Sequence, residues 1–432
     1  MNEPFEPQDD RDLNGLPAIQ DEPESRPGGI PLYVWVLIAV ALAIPAGLFF
    51  GDQVQAARIF PTLIIRALTA LAAPLVVLAI LHAIVTNDVR GRQGARMMLY
   101  YLINTVVAMV IGLALTNLVQ PGVGAEVRVE GEDPASLPKR TVTDLVVELI
   151  PRSIGDAFAQ NNLAQLVLIT LAAGIGLAKI RNEDRLAGRD RFQVAEDLLS
   201  LGFELLMRVL LWVVALVPLA VFGVVAASVG QKDGLRVFTS LIWLIGVVLV
   251  GLFIQNLWYL LVMGLRARMS PIRFLKGALD VMASTFSTAS TAATIPITLR
   301  ALTEKLGVSK ESSQLAACIG TNFNNDGTAL YQATAALFMA QSMGIDLGPM
   351  DQLVIVLTTL VASVGAGGIP SGSFVTLPLI FAAVGLPADK IPVLLTIDWF
   401  LDRCRTTSNV LGDMTVAVLL DQSREVVPRA DQ

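Results

Sequence analysis

Near the C-terminal end, between two long apolar stretches, runs Asp398-Trp399-Phe400-Leu401-Asp402-Arg403-Cys404-Arg405-Thr406-Thr407-Ser408-Asn409-Val410-Leu411-Gly412-Asp413. Counted from Asp402, the residues Arg405, Thr406, Asn409 and Asp413 fall at i+3, i+4, i+7 and i+11, so a helix of about 3.6 residues per turn puts them on one face. A charged side chain at the bilayer centre costs about 2.5 to 3.5 kcal/mol on insertion scales, so the stripe must face partners, an aqueous cavity or a bound ligand. Its chemistry is recognition. A guanidinium is a planar fork that suits a carboxylate, and a carboxylate on the same face suits an ammonium group. Arg405 and Asp402 together read as a site for a zwitterion with one extra negative charge.

A second polar island, Gly320-Thr321-Asn322-Phe323-Asn324-Asn325-Asp326-Gly327-Thr328, interrupts the apolar segment 311–342. An unwound turn at mid-membrane is expected there. Asp326 offers a full charge, Asn324 an amide oxygen and the broken helix its carbonyls, all hard oxygen ligands for a small hard cation. With Asn409 and Asp413, enough oxygens converge to hold sodium.

Two further stretches are too polar or too glycine-rich for ordinary spans: Ser284 to Pro296, and Ala362 to Ser373 with Gly365, Gly367, Gly368 and Gly372. Each has short apolar arms and precedes a long apolar segment, at 311–342 and 389–421. Interrupted segments at corresponding places in two halves point to a transporter site built on inverted repeats. Irregular backbone survives at membrane depth when protein or a water-filled cavity satisfies it, as in a re-entrant hairpin, although small residues also serve close helix packing.

These islands need a membrane-embedded scaffold to hold them. The 432 residues are 54% hydrophobic and 16% charged, with mean hydropathy +0.64, which reads as a polytopic membrane protein. Residues 1–30 hold eight acids and two bases and account for the net charge of −6; they lack a signal-peptide pattern and are expected to be a disordered cytoplasmic tail. The remaining body has no net charge and no basic stripe, which argues against nucleic-acid binding. The single histidine, His82, excludes His-based metal sites and Ser-His chemistry, and Cys318 and Cys404 read as packing residues. No base is placed to activate a Ser or Thr nucleophile, so an enzyme is not expected. An ion channel is the rival class, because oxygen-lined narrowings also serve selectivity.

Apolar segments at about 31–51, 59–86, 97–120, 141–180, 196–229 and 236–266 are each long enough to cross a hydrocarbon core. Basic residues cluster in every second loop (Arg90, Arg92 and Arg96; Lys179, Arg181, Arg185, Arg189 and Arg191; Arg266, Arg268, Arg273 and Lys276). The positive-inside rule then puts both termini in the cytoplasm of a cell whose inner membrane the chain crosses, with loop 121–140 outside.

From residue 31 onward the chain resembles the dicarboxylate/amino acid:cation symporters, which include archaeal aspartate transporters and excitatory amino acid transporters. Asn324-Asn325-Asp326-Gly327-Thr328 is similar to the family's Asn-Met-Asp-Gly-Thr, Ser290 to Pro296 to its first hairpin tip, and Gly365 to Pro370 to its second. The stripe from Asp398 to Asp413 is similar to its final helix. The resemblance implies an all-α elevator-type transporter with eight transmembrane helices, two re-entrant hairpins and inverted repeats, working as a homotrimer in the lipid bilayer. It divides the chain into the tail 1–30, scaffold helices 31–95, a transport-domain helix 96–120, scaffold helices 121–229, a transport-domain helix 230–268, hairpin 269–308, broken helix 309–345, gate hairpin 346–386, final helix 387–422 and tail 423–432. It also implies import of aspartate or glutamate with sodium ions, with proton-coupled C4-dicarboxylate symport or an ion channel as alternatives.

By the same resemblance, Arg405 pairs with the substrate's side-chain carboxylate, Asp402 with its amino group, and Thr406 and Asn409 with its polar atoms. Backbone around Thr291 and Gly368 holds the main-chain carboxylate, and Thr328 joins the substrate set. Three sodium sites are implied: Gly320, Asn324, Asn409 and Asp413; Tyr101, Asn104, Thr105, Asn324 and Asp326; and Asn322 with Ser363, Val364 and Ala366. Asn325 stands where the family has Met, Asn104 where it has Thr or Ser, Ala366 where some members have Thr, and Gln332 where eukaryotic members carry a proton-binding Glu.

Overall fold

The computed structural model describes residues 32–86, 91–124, 150–160, 162–188, 191–230, 235–366 and 372–422. Among them there is helix and no strand, as expected where backbone polar groups must be satisfied without water. In chain order these helices are α1 (Leu32–Phe50), α2 (Ile59–Thr86), α3 (Gly91–Val119), α4 (Ile154–Ala159), α5 (Leu163–Leu186), α6 (Arg191–Ala215), α7 (Val217–Val229), α8 (Leu235–Arg266), α9 (Pro271–Thr288), α10 (Ile295–Arg300), α11 (Lys310–Phe323), α12 (Asp326–Ser342), α13 (Pro349–Ala366), α14 (Gly372–Ala383) and α15 (Pro392–Gln422). A 3-10 stretch, Gly51–Arg58, joins α1 to α2, and a π-helical turn, Ala301–Leu306, continues α10.

Five stretches among the described residues are long and apolar enough to cross a membrane: Leu32–Phe50, Gln53–Val85, Gln93–Val119, Phe192–Val229 and Phe238–Arg266. Side chains such as Phe49, 85% exposed, and Trp212, 70% exposed, would be liabilities in water and suit a lipid-facing surface. The chain is therefore a membrane protein.

Local chemistry sets the breaks. Asn162 caps α5 by accepting from Gln165 N at 3.3 Å, so the described part of the segment 141–180 is divided, as its interruptions at Pro151-Arg152-Ser153 and Gln160-Asn161-Asn162 lead one to expect, and Pro218 at the first turn of α7 marks a second division inside 196–229. The polar run after α11 leaves Asn324 and Asn325 outside helical geometry, the unwound turn its composition suggests. In the first hairpin, α9 ends at Ala289 in the left-handed region (φ +53°), and the chain turns through Ser290 to Thr294 before Pro296 opens α10. The tip of the second hairpin, residues 367–371, lies outside the described residues.

Packing sorts these elements into two groups. α2 lies against α5, α6 and α7, and α7 against α1; α12 lies against α3, and α15 against α8, α9, α11 and α12. One apolar core runs through α1, α2, α7 and α12, and a second gathers Met97, Tyr101, Tyr259, Phe274 and Leu306 around the C-terminal half of α15. Between the groups, Tyr33 of α1 stacks on Trp399 of α15 with ring centroids 6.0 Å apart, and the Arg403 guanidinium sits 5.1 Å over the Tyr33 ring.

Candidate functional site

α15 presents its polar stripe to the interior. Arg405 is fully buried. Its Nη2 donates to Asp402 Oδ1 at 2.7 Å and to Ser373 Oγ of α14 at 3.2 Å, and lies 2.8 Å from Asp398 Oδ1. The guanidinium carbon sits 4.1 Å over the Tyr331 ring of α12, a cation–π contact strengthened by desolvation. Three helices thus fix one cation. Its Nε and Nη1, however, have no hydrogen-bond partner among the described residues. Buried donors are nearly always paired, so the guanidinium keeps capacity for an additional acceptor, and a carboxylate is the acceptor it matches best. Asp402 has 20% of its side chain exposed, against 5% for Asp398, so Asp402 is the member of the trio open to a ligand.

One turn further along, the broken α11–α12 connection is stitched to the same helix. Asn409 Oδ1 accepts from Gly327 N at 2.8 Å, while its Nδ2 lies 3.4 Å from Thr328 Oγ1 and 3.5 Å from Asn325 Oδ1. Asn324 Nδ2 donates to Asn409 O and to Asp413 Oδ1. Glycine makes this contact possible. A Cβ on Gly327 would come within 2.7 Å of Arg405 O, and one on Gly412 within 2.7 Å of Asn324 Nδ2, closer than non-bonded atoms pack.

Two buried carboxylates occupy the far side of the turn. Asp326 Oδ1 accepts from Thr105 Oγ1 and Oδ2 from Tyr259 OH, each at 2.6 Å. Asp413 accepts from Asn324, and its Oδ1 packs so tightly on Gly320 that a Cβ there would lie 2.1 Å away, and 2.7 Å from Tyr101 OH. Both carboxylates have only neutral donors among the described residues. A buried anion without a cationic partner is expensive, and binding a cation or a proton removes that expense. Asn324 Oδ1 is buried with no partner. Carboxylate, amide and hydroxyl oxygens suit a hard cation better than a transition metal, and the described residues hold no cluster of three His, Cys, Asp or Glu side chains.

The remaining expected residues take varied positions. Thr406 Oγ1 donates to Asp402 O of its own helix at 2.7 Å. Thr291 lies in the non-helical first tip, where its carbonyl accepts from Thr294. Ser363 offers its carbonyl to Asn325 Nδ2 at 3.0 Å, so Asn325 ties the broken helix to the second hairpin. Asn104 Oδ1 accepts from Trp258 Nε1 at 3.1 Å, and Tyr101 OH donates to Ala316 O. Asn322 is half-buried near the end of α11, Val364 and Ala366 fall in the last turn of α13, and Gly368 lies outside the described residues.

Asp398, Ser373, Tyr331 and Tyr259 also line this region, although sequence reasoning gave them no role. Asp398, seven residues before Arg405, shares its helix face and was accessible from periodicity alone. Tyr259 and Tyr331 lie within apolar helices and carry no sequence signal beyond their hydroxyls.

Residues 32–423 match the model of the sodium:dicarboxylate symporter family. A C4-dicarboxylate transport protein of Anaeromyxobacter sp. (strain K) is 31% identical over 420 residues, covering 91% of each chain. Another, from Cupriavidus taiwanensis, is 29% identical over 408 residues, covering 90% of each. The excitatory amino acid transporter 3 of Mus musculus is 26% identical over 444 residues, covering 88% of this chain and 83% of that transporter.

Proposed function

We propose that this chain, which belongs to the sodium:dicarboxylate symporter family, imports an acidic amino acid, aspartate or glutamate, together with sodium ions. The observation that carries the reading is Arg405, buried beside Asp398 and Asp402 with its Nε and Nη1 unpartnered among the described residues. A carboxylate of the substrate satisfies those donors, and Asp402 accepts from its amino group. Four carboxyl groups, Asp326, Asp398, Asp402 and Asp413, surround one guanidinium, Arg405, so in their ionised form they leave negative charge in excess. An acidic substrate adds more, so its entry is favoured only when cations enter too. That electrostatic demand is the physical basis of coupling, and Asp326 and Asp413 are where the cations answer it.

A second reading is proton-coupled uptake of a C4-dicarboxylate; its substrate, though not its coupling ion, is the one in the names of the relatives at 29% and 31% identity. Asp402 discriminates the two, because a plain dicarboxylate has no ammonium group for it to bind. Uptake of labelled aspartate, glutamate and succinate into proteoliposomes, under sodium or proton gradients, tests the proposal. Uptake of succinate alone, driven by protons, would overturn it.

The finer architecture belongs to the same proposal: eight transmembrane helices, two re-entrant hairpins, a homotrimer in the inner membrane with cytoplasmic termini, and an elevator-like moving unit. In support, α1, α2, α5, α6 and α7 pack mainly with one another while α15 packs mostly with α8, α9, α11 and α12 and to a lesser extent with α7. Subunit cross-linking in the membrane tests the trimer.

A further inference from the structure

At the base of the first hairpin, a shallow surface cavity of about 510 Å³, largely open to the outside, is lined by Ser270, Ile272, Arg273, Lys276, Gly277 and Lys305. None of these residues belongs to the site on α15. Gly277 packs against the side chain of Leu306, where a Cβ would lie 2.6 Å from Leu306 Cδ2, and the next residue back, Lys305, lines the same cavity as Arg273 and Lys276. Half of the lining residues are cationic. Arg273 makes one hydrogen bond, to Leu306 O at 3.1 Å, and Lys305 pairs with the largely exposed Asp280. Lys276 makes no ion pair among the described residues. Across residues 266–311 seven bases face three acids, and Glu304 is already paired with Arg300.

An apolar stripe leads into this basic cavity. Ile272, Leu275 and Leu279, spaced i, i+3 and i+7 on α9, share one face and are 67%, 36% and 58% exposed. A polyanion from solution has no use for such a stripe. An amphiphile with an anionic head and hydrocarbon tails fits both parts at once, and basic pockets at the cytoplasmic interface attract such headgroups. We propose that the cavity binds the headgroup of an anionic phospholipid through Arg273, Lys276 and Lys305, with its acyl chains laid along Ile272, Leu275 and Leu279.

The test uses the full chain in phosphatidylcholine vesicles doped with spin-labelled phosphatidylglycerol or spin-labelled phosphatidylcholine, reading the motionally restricted lipid at the protein. The wild type should favour phosphatidylglycerol. The double substitution R273Q/K276Q should reduce that preference by about threefold or more, as loss of two headgroup contacts requires, while millimolar inorganic phosphate should leave it unchanged. Should the double variant not fold, Lys276→Gln alone carries the test with a smaller loss. An unchanged preference in the variants, or displacement of the lipid by inorganic phosphate, would overturn the proposal.

Discussion

Asn324 donates its side-chain amide to the carboxylate of Asp413 at 2.8 Å. The same nitrogen donates to Asn409 O at 2.9 Å, and Asn409 in turn accepts from Gly327 N. The unwound turn between α11 and α12 is thereby fastened to the helix that carries Arg405. Under the proposed coupling, a cation at Asp413 or Asp326 would act on elements hydrogen-bonded to the helix that presents the guanidinium.

Replacing Arg405 with Cys should abolish uptake of acidic amino acids. Removing one partner of a buried ion pair costs about 3 to 5 kcal/mol, so the loss in aspartate affinity should exceed roughly a hundredfold. Neutral amino acids such as serine should gain entry where the charge was. Aspartate uptake by the variant at the wild-type level would remove Arg405 from the substrate site.

Replacing Asp402 with Asn should separate amino acids from plain dicarboxylates. It removes the charged acceptor for an ammonium group while the Arg405 fork remains, so aspartate uptake should fall by about tenfold or more, the loss of one charge-assisted hydrogen bond. Competition of labelled aspartate by succinate reads the change, and equal losses for both ligands would show that Asp402 does not select the amino group.

Exchanging external sodium for choline should stop uptake, because Asp326 and Asp413 then lack a compensating cation. The decisive comparison is sodium, lithium and a proton gradient in one proteoliposome preparation. Full activity in choline with a proton gradient would favour the dicarboxylate reading.

Gly320→Ala forces a Cβ to within 2.1 Å of Asp413 Oδ1, so the carboxylate or α11 must move. Apparent sodium affinity, measured by calorimetry, should fall by about tenfold, equivalent to about 1.4 kcal/mol, with a smaller change in aspartate affinity at saturating sodium. Unaltered sodium affinity would place Asp413 outside the cation path.

Much of this was legible in the sequence. The i, i+3, i+7 and i+11 spacing from Asp402 to Asp413 put those residues on one face, and the run from Asn322 to Asp326 announced the break that separates α11 from α12. Periodicity reports which face a residue occupies. It does not report what another helix brings to that face. Tyr331 under Arg405, Ser373 beside it and Tyr259 on Asp326 all come from other elements, and in an apolar helix a tyrosine reads as any large core side chain. The division at Leu216 between α6 and α7 was equally hidden, because a proline leaves mean hydropathy nearly unchanged.

The contact between Tyr33 and α15 bears on speed. If α15 travels past α1, as the proposed moving unit would have it, the motion must unstack Tyr33 from Trp399 and lift Arg403 off its ring. An aromatic pair is worth about 0.5 to 1.5 kcal/mol and an exposed cation–π contact about 0.5 to 1 kcal/mol. Under the proposed elevator-like motion the contact would work as a detent that lengthens the dwell of one conformation without touching the ligand, and its removal by Tyr33→Ala should raise the translocation rate several-fold in single-turnover kinetics while leaving substrate affinity near its original value.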